Sequence, residues 1–278
     1  MRMKRTLSVL LAIAGFSAWS AVSMAQTKPA EKPVINLPPT AKDWADIGKL
    51  PDWSGVWNPN ISDQDMQHIK NPLPWNEKAA ARIKFQQAEL RAGRPTPLFV
   101  NCLPEGHPSW MMISHNALEF LFTPGRVTML GESDGGRLRR VYTDGRGHLP
   151  DPDPTFHGHS IGKWEGNVLV IDTIGVLPQS FIAPSEAHGI PNNGDMHTLE
   201  RIWVEKDVMH VYMKITAPHV LTKPYETTRF YFRQRARKFD IVEGVCMEGY
   251  FAPRIDKDGY HVFVPQPHDV GGNRIPPK

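Results

Sequence analysis

The sequence predicts an all-β protein, an antiparallel meander that closes into a barrel, with one N-terminal helix and irregular termini. Three observations predict it. From about residue 117 apolar and polar side chains alternate with period two in short runs, the mark of half-buried strands. Turn chemistry separates the runs, as "TPGR", "DGRG", "EGN" and "EKD". About nine such strands follow one another at regular spacing, and closure removes the exposed edges that so long a meander would otherwise present.

Residues 1–25 read as an export signal. Arg2, Lys4 and Arg5 form a basic start, Thr6 to Ala21 is mostly apolar, and Ser23-Met24-Ala25 offers small residues for cleavage before Gln26. A membrane anchor is the rival reading. Against it, Gly15, Ser17 and Ser20 interrupt the apolar run and no basic stop-transfer cluster follows. Residues 26–50, with Pro29, Pro33, Pro38 and Pro39, read as a disordered leader. Residues 51–250 form the barrel domain. Within it, residues 77–92 are rich in helix formers and stop at Gly93 and Pro95. Their apolar positions, Ile83, Phe85 and Leu90, are sparse, so this helix packs on a surface. Then come "SGVW", the hairpin of "ALEFLF" and "VTMLGE", "RLRRVYT", the hairpin of "HSIGKW" and "VLVIDTIG", that of "HTLERIWV" and "VMHVYMKIT", and a last pair, "TTRFYFR" and "FDIVEGVC". Residues 251–278 are Pro/Gly-rich and read as an irregular tail.

The formal charge of +3 belongs to the export segment. Without its three basic residues the chain carries 29 Lys and Arg against 29 Asp and Glu. Nothing in that balance favours nucleic acid or an anionic membrane as partner, and the basic run Arg229 to Lys238 reads as a strand with a solvated face. The two cysteines, Cys102 and Cys246, either pair in an oxidising compartment or stay as buried thiols.

Gly55-Val56-Trp57 places a Gly-x-Trp at the start of the first strand, similar to the opening of lipocalin-type barrels. With the meander, this resemblance implies a calycin- or lipocalin-like barrel. Barrels of that size can hold one small ligand inside.

Strand faces pick out the candidate chemistry. In "VLVIDTI", Val168, Val170, Asp172 and Ile174 share one face, and if that face is the lumen a carboxylate sits among β-branched residues. In "HSIGKW", His157, His159 and Ile161 would share a face, bringing His159 near Asp172 across the hairpin. On "HTLERIWV" either Glu200 or the His197–Arg201 pair points inward, and on the last strand Glu243 sits among Phe239, Ile241 and Val245. Arg139, Arg140 and Arg201 are available as counter-charges. His159, Asp172, Glu200 and His197 are therefore the candidate catalytic residues. Arg140, Tyr142, Trp164, Arg201 and Glu243 are the candidate ligand contacts. A structural network of the same residues, with arginines pairing the carboxylates, is the competing reading. The alternative is a metal site on His157, His159 and His197, though a His-x-His is a weak signal by itself. No nucleophile elbow, P-loop or dinucleotide fingerprint occurs, and no cofactor is implied. Ser160 follows His159 directly, so on a strand the two point to opposite faces and form no nucleophile–base pair.

The runs "FLFTPGRVTML", "RRVYTDGRGH", "DPDPTFHGHSIGKWEGNVLVIDT", "HTLERI" and "EGVC" resemble a family of exported, mostly uncharacterised bacterial β-rich proteins. The resemblance spans about residues 51–250. It implies a shared secreted β-fold and no particular reaction. The position of His157 is often Asn in that pattern, whereas His159, Asp172 and Glu200 fit it.

The expectation is a periplasmic or secreted barrel that binds a small apolar or aromatic molecule. It acts as a cofactor-independent lyase, isomerase or hydrolase with His159 as base. The alternatives are a non-catalytic carrier and a metal-dependent enzyme.

Overall fold

The computed structural model describes residues 38–94, 98–99, 103–113, 115–132, 137–236, 238–242 and 257–258, and the backbone alone at 251–255 and 261–265. Nine strands close into a barrel. In chain order they are β1 (Val56–Pro59), β2 (Leu118–Thr123), β3 (Arg126–Gly131), β4 (Arg137–Tyr142), β5 (His159–Glu165), β6 (Val168–Ile174), then β9 (His197–Glu205), β10 (Val208–Thr216) and β11 (Tyr225–Gln234). A hairpin of β7 (Phe181–Ser185) and β8 (His188–Pro191) is inserted between β6 and β9. The ring runs β1-β11-β10-β9-β6-β5-β4-β3-β2.

The barrel matches the predicted class, but not as a pure meander. Strands β4 and β5 pair in parallel, Val141 with Ser160 and Tyr142 with Ile161. Parity explains this. A ring with an odd number of strands cannot alternate direction all the way round, so one junction must be parallel. A parallel junction needs a crossover in place of a tight turn, and residues 143–158 supply it. The other eight junctions are antiparallel.

Three further differences concern the appendages. A short helix, α1 (Ala41–Ile47), capped by Thr40 and Asp43 acting reciprocally, lies within the stretch read as leader. A second helix, α2 (Ile61–Lys70), follows β1 behind its Asn60 cap and carried too few apolar residues for its period to show. In the tail, β12 (Phe251–Ile255) and β13 (His261–Pro265) pair as a hairpin where irregular chain was expected. Phe239 to Val242 form no strand, and the rest of "FDIVEGVC", with Glu243 and Cys246, lies outside the described residues, as does Cys102.

The predicted helix is present as α3 (Glu77–Arg91), with the Asn76 side chain accepting from the Ala79 amide. It buries Ala79, Ile83 and Gln86 and leaves Phe85 and Leu90 exposed, as its sparse pattern required. Gln86 makes two bonds of 3.1 Å to the Gly189 backbone and so pins α3 to β8.

The barrel interior is packed with side chains. Leu118, Val127, Met129, Val141, Leu169, Ile171, Ile202, Met209, Val211, Met213 and Tyr231 point inward and are buried. The segment Glu105–Ile113, which includes the short helix α4 (Ser109–Met112), threads among them and is buried throughout. Tyr231 Oη donates to the Met111 carbonyl at 3.1 Å and Arg229 Nε to that of Met112 at 3.0 Å. Trp110 packs against Gly131, where a Cβ would come within 2.5 Å of the indole. The chain's own plug thus occupies space where a ligand was expected.

Candidate functional site

The strand faces fall opposite to the conditional reading of "VLVIDTI". Leu169, Ile171 and Thr173 are fully buried, so they face the interior, and Asp172 faces outward. Both faces of that run are apolar, so alternation alone could not tell them apart. On β9 the ambiguity resolves with Glu200 inside and His197 and Arg201 outside.

Inside, Glu200 (0 % exposed) meets Arg139 (1 % exposed). Arg139 Nη1 donates to Glu200 Oε1 at 3.0 Å, and its Nη2 donates to Oε2. Nη2 also donates to Thr173 Oγ1 at 2.8 Å and Nε to Ser160 Oγ at 3.1 Å. Ser160 and Thr173 share a further bond of 2.9 Å. A buried ion pair is tolerated when its remaining donors are satisfied, and here every guanidinium nitrogen has an oxygen partner. Glu200 is therefore held in a structural network, as the competing reading had it, and is remote from the His159 side chain on the other side of the wall. His107, which the sequence reading did not single out, is also buried, with Nε2 2.6 Å from Thr198 Oγ1. Burial, and after it the positive charge of Arg139, push its pKa well below the ordinary histidine range.

Outside, the structure joins three of the four candidate catalytic residues through a fourth side chain. His159 Nδ1 is 2.8 Å from His148 Nδ1, His148 Nε2 is 3.0 Å from Asp172 Oδ1, and His197 Nε2 is 2.8 Å from the same oxygen. Strands β5, β6 and β9 place His159, Asp172 and His197, and the crossover from β4 to β5 delivers His148. The hydrogen-bond logic fixes the tautomers. A carboxylate oxygen accepts, so His148 and His197 each donate from Nε2. A neutral His148 then accepts at Nδ1, His159 donates from Nδ1, and His159 Nε2 is left with its lone pair. That nitrogen has no hydrogen-bond partner among the described residues. Desolvation, followed by the nearby His148 and Arg146, lowers the His159 pKa, which keeps it neutral at neutral pH. Tyr142 stacks on His159 with ring centroids 5.7 Å apart, and the Arg146 guanidinium lies 4.2 Å over the Tyr142 ring.

His148 was missed because it lies in irregular chain, where neither period nor motif marks it. Its nearest signal was the polar turn "DGRGH". Of the expected ligand contacts, Tyr142 is at the cluster. Arg140 is exposed on the outer face of β4. Arg201 faces outward and donates to Glu165 Oε2 at 3.1 Å. Trp164 points inward at the far end of β5 and packs edge-on against Trp53 at 5.2 Å. Glu243 lies outside the described residues.

The trio His157, His159 and His197 is not brought together. His157 and His159 do not share a face, because Gly158 adopts φ +68° and turns the chain between them. His157 points inward, its ring 4.9 Å from that of Trp110. Among the described residues no group of three or more His, Cys, Asp or Glu side chains has the geometry to hold a metal ion, and no helix is long and apolar enough to cross a membrane.

No protein-family model matches this chain, and no curated protein does. A solved structure titled "REP1-NXSQ fatty acid transporter" is similar at 12 % identity over 69 % of this chain and 99 % of that one, with a TM-score of 0.31. A likeness this slight assigns no ligand.

Proposed function

We propose that this protein is an exported barrel that performs acid–base chemistry on a small apolar or aromatic molecule at the outward cluster of His159, His148, Asp172 and His197. The observation that carries this reading is the unbroken path from His159 through His148 to Asp172, with links of 2.8 and 3.0 Å. Asp172 orients His148, His148 holds the His159 proton on Nδ1, and Nε2 takes the substrate proton. A base whose tautomer is set by a second group, and whose pKa burial lowers so that its lone pair stays free, suits a lyase, isomerase or hydrolase step. The partly covered ring of Tyr142 offers the apolar surface for substrate. The carrier alternative draws less support, because the plug Glu105–Ile113 fills space that a lumenal ligand would need.

The test is a screen of aromatic esters, β-elimination substrates and enolisable ketones, followed by His159→Ala and Asp172→Asn. Turnover by the wild type that both changes abolish supports the reading. Full turnover in both variants removes it, and saturable binding with no reaction points to a carrier.

A further inference from the structure

A cleft of about 760 Å³ opens on the outer wall of the barrel, where the turn between β9 and β10 meets β11 and the start of α2. That volume suits a small molecule. Glu205, which lines it, stands at the opposite end of β9 from His197, roughly 26 Å away along the strand, so the cleft is separate from the His159 cluster. Its wall is aromatic. The register sets Trp203, His210 and Phe230 side by side across three strands, with Val208 beside Phe232 two residues further on. The Trp203 and His210 rings stack at 4.8 Å, and His210 meets Phe230 edge to face at 5.2 Å. Phe232 is 42 % exposed.

The polar groups of the cleft are of both signs and keep bonding capacity. Lys206 has no ion pair among the described residues. Asn60 is fixed beside the wall, since its backbone N–H donates to the Phe230 carbonyl at 2.8 Å and its Oδ1 accepts from the Asp63 amide at 3.2 Å. Its side-chain NH₂ has no hydrogen-bond partner among the described residues. Glu205 Oε2 lies 3.6 Å from His210 Nε2, too far for a direct hydrogen bond and close enough for one hydroxyl to reach both. The neighbouring Asp207 is engaged by Arg233 at 2.9 Å. These groups select a ligand class. A cation or an anion would be drawn by one of Glu205 and Lys206 and repelled by the other. A bare apolar ring would take water from Glu205, Lys206 and Asn60 and give no bond in return. A neutral ring carrying hydroxyl groups meets both demands. Each hydroxyl donates and accepts, and the C–H face of the ring packs on phenyl side chains.

We propose that this cleft binds one pyranose ring of a neutral sugar. Phe230 and Phe232 take its C–H face. One hydroxyl donates to Glu205 and accepts from His210, and Asn60 and Lys206 donate to its other oxygens. This site does not rest on the acid–base reading.

The experiment titrates the full chain with the methyl glycosides of glucose, galactose and mannose, read by saturation-transfer NMR and calorimetry. Cyclohexanol is the ring without the hydroxyl array, and benzoate and tetramethylammonium are the charged comparisons. The expected result is saturable binding of at least one glycoside, tighter than that of all three comparison compounds. Glu205→Gln should weaken it about tenfold, as loss of one charge-assisted bond predicts. Phe232→Ala should weaken it by a similar factor, and Leu121→Ala, exposed on β2 away from the cleft, should leave it unchanged. Glu205 and Phe232 are exposed, so both variants should keep the fold, which circular dichroism checks. If Phe232→Ala does not fold, Glu205→Gln decides. The proposal is overturned if no glycoside binds at tens of millimolar, or if affinity is unchanged in Glu205→Gln and Phe232→Ala. Tighter binding of benzoate, tetramethylammonium or cyclohexanol than of every glycoside overturns it as well.

Discussion

One oxygen of Asp172 serves two imidazoles. His197 Nε2 lies 2.8 Å from Oδ1 and His148 Nε2 lies 3.0 Å from the same atom. Asp172→Asn offers at best one carbonyl oxygen there, and with the amide rotated it presents an NH₂ to two donors. The His148 tautomer is then free to change and His159 loses its fixed proton. The expected outcome is a loss of turnover of about 10²–10⁴, the usual worth of general acid–base help. His148→Ala should lower turnover while His159 remains in place. Steady-state kinetics on any substrate found by the screen checks both.

The acid limb of that activity should lie below the ordinary histidine value. The pKa of His159 is lowered by desolvation, so its neutral form persists as pH falls past about 6.5. A pH–rate profile whose acid limb has its midpoint above 6.5 would exclude His159 as the base.

Glu200→Gln should destabilise the fold by about 3–5 kcal/mol, because it leaves the Arg139 charge buried without its partner. Replacing both residues with apolar side chains of similar volume should cost less than the single change. Urea denaturation of the two variants makes the comparison.

Stability should fall in mild acid. In the unfolded chain His157 takes up a proton near pH 6.5, whereas in the fold it does so only near 3. The unfolded state therefore binds more protons in that window, and stability present above pH 6.5 is lost as pH falls towards 3. His107, also held low by burial, acts in the same direction. Each proton contributes a slope of up to about 1.4 kcal/mol per pH unit. Denaturation midpoints of wild type and His157→Phe between pH 7 and 4 should diverge, with the variant less sensitive to acid.

Gly131→Ala should be costly although it adds one methyl group. The new Cβ would meet the Trp110 indole at 2.5 Å, and the plug has no slack, since Tyr231 and Arg229 hold its backbone. A loss of about 1–3 kcal/mol is expected from overpacking. Thermal unfolding reads it directly.

The barrel was legible because its strands keep period two and its turns carry glycine where the backbone needs it, as at Gly125 and Gly166, both at positive φ. The parallel junction was not legible. It follows from the number of strands in the ring, which no local run records. The candidate cluster was half legible. His159, Asp172 and His197 stood out as polar residues on strands, and the structure joins them. Which face of β6 turned outward could not be read from a run apolar on both sides. His157 was misplaced because one left-handed glycine reverses the alternation. His148 and His107 sit in irregular segments, where sequence spacing says little about distance.

The parallel junction between β4 and β5 divides the labour of change in this molecule. Asp172, His159 and His197 stand on rungs whose neighbours are fixed by the ladder, so they can be replaced but hardly moved. His148 and His157 ride on the crossover, whose length and course no hairpin dictates. Descendants of such a chain could exchange that excursion wholesale, by insertion, deletion or new composition, without disturbing a single strand register. The barrel would persist while the company kept by Asp172 on one side of the wall, and by Trp110 on the other, was rewritten together.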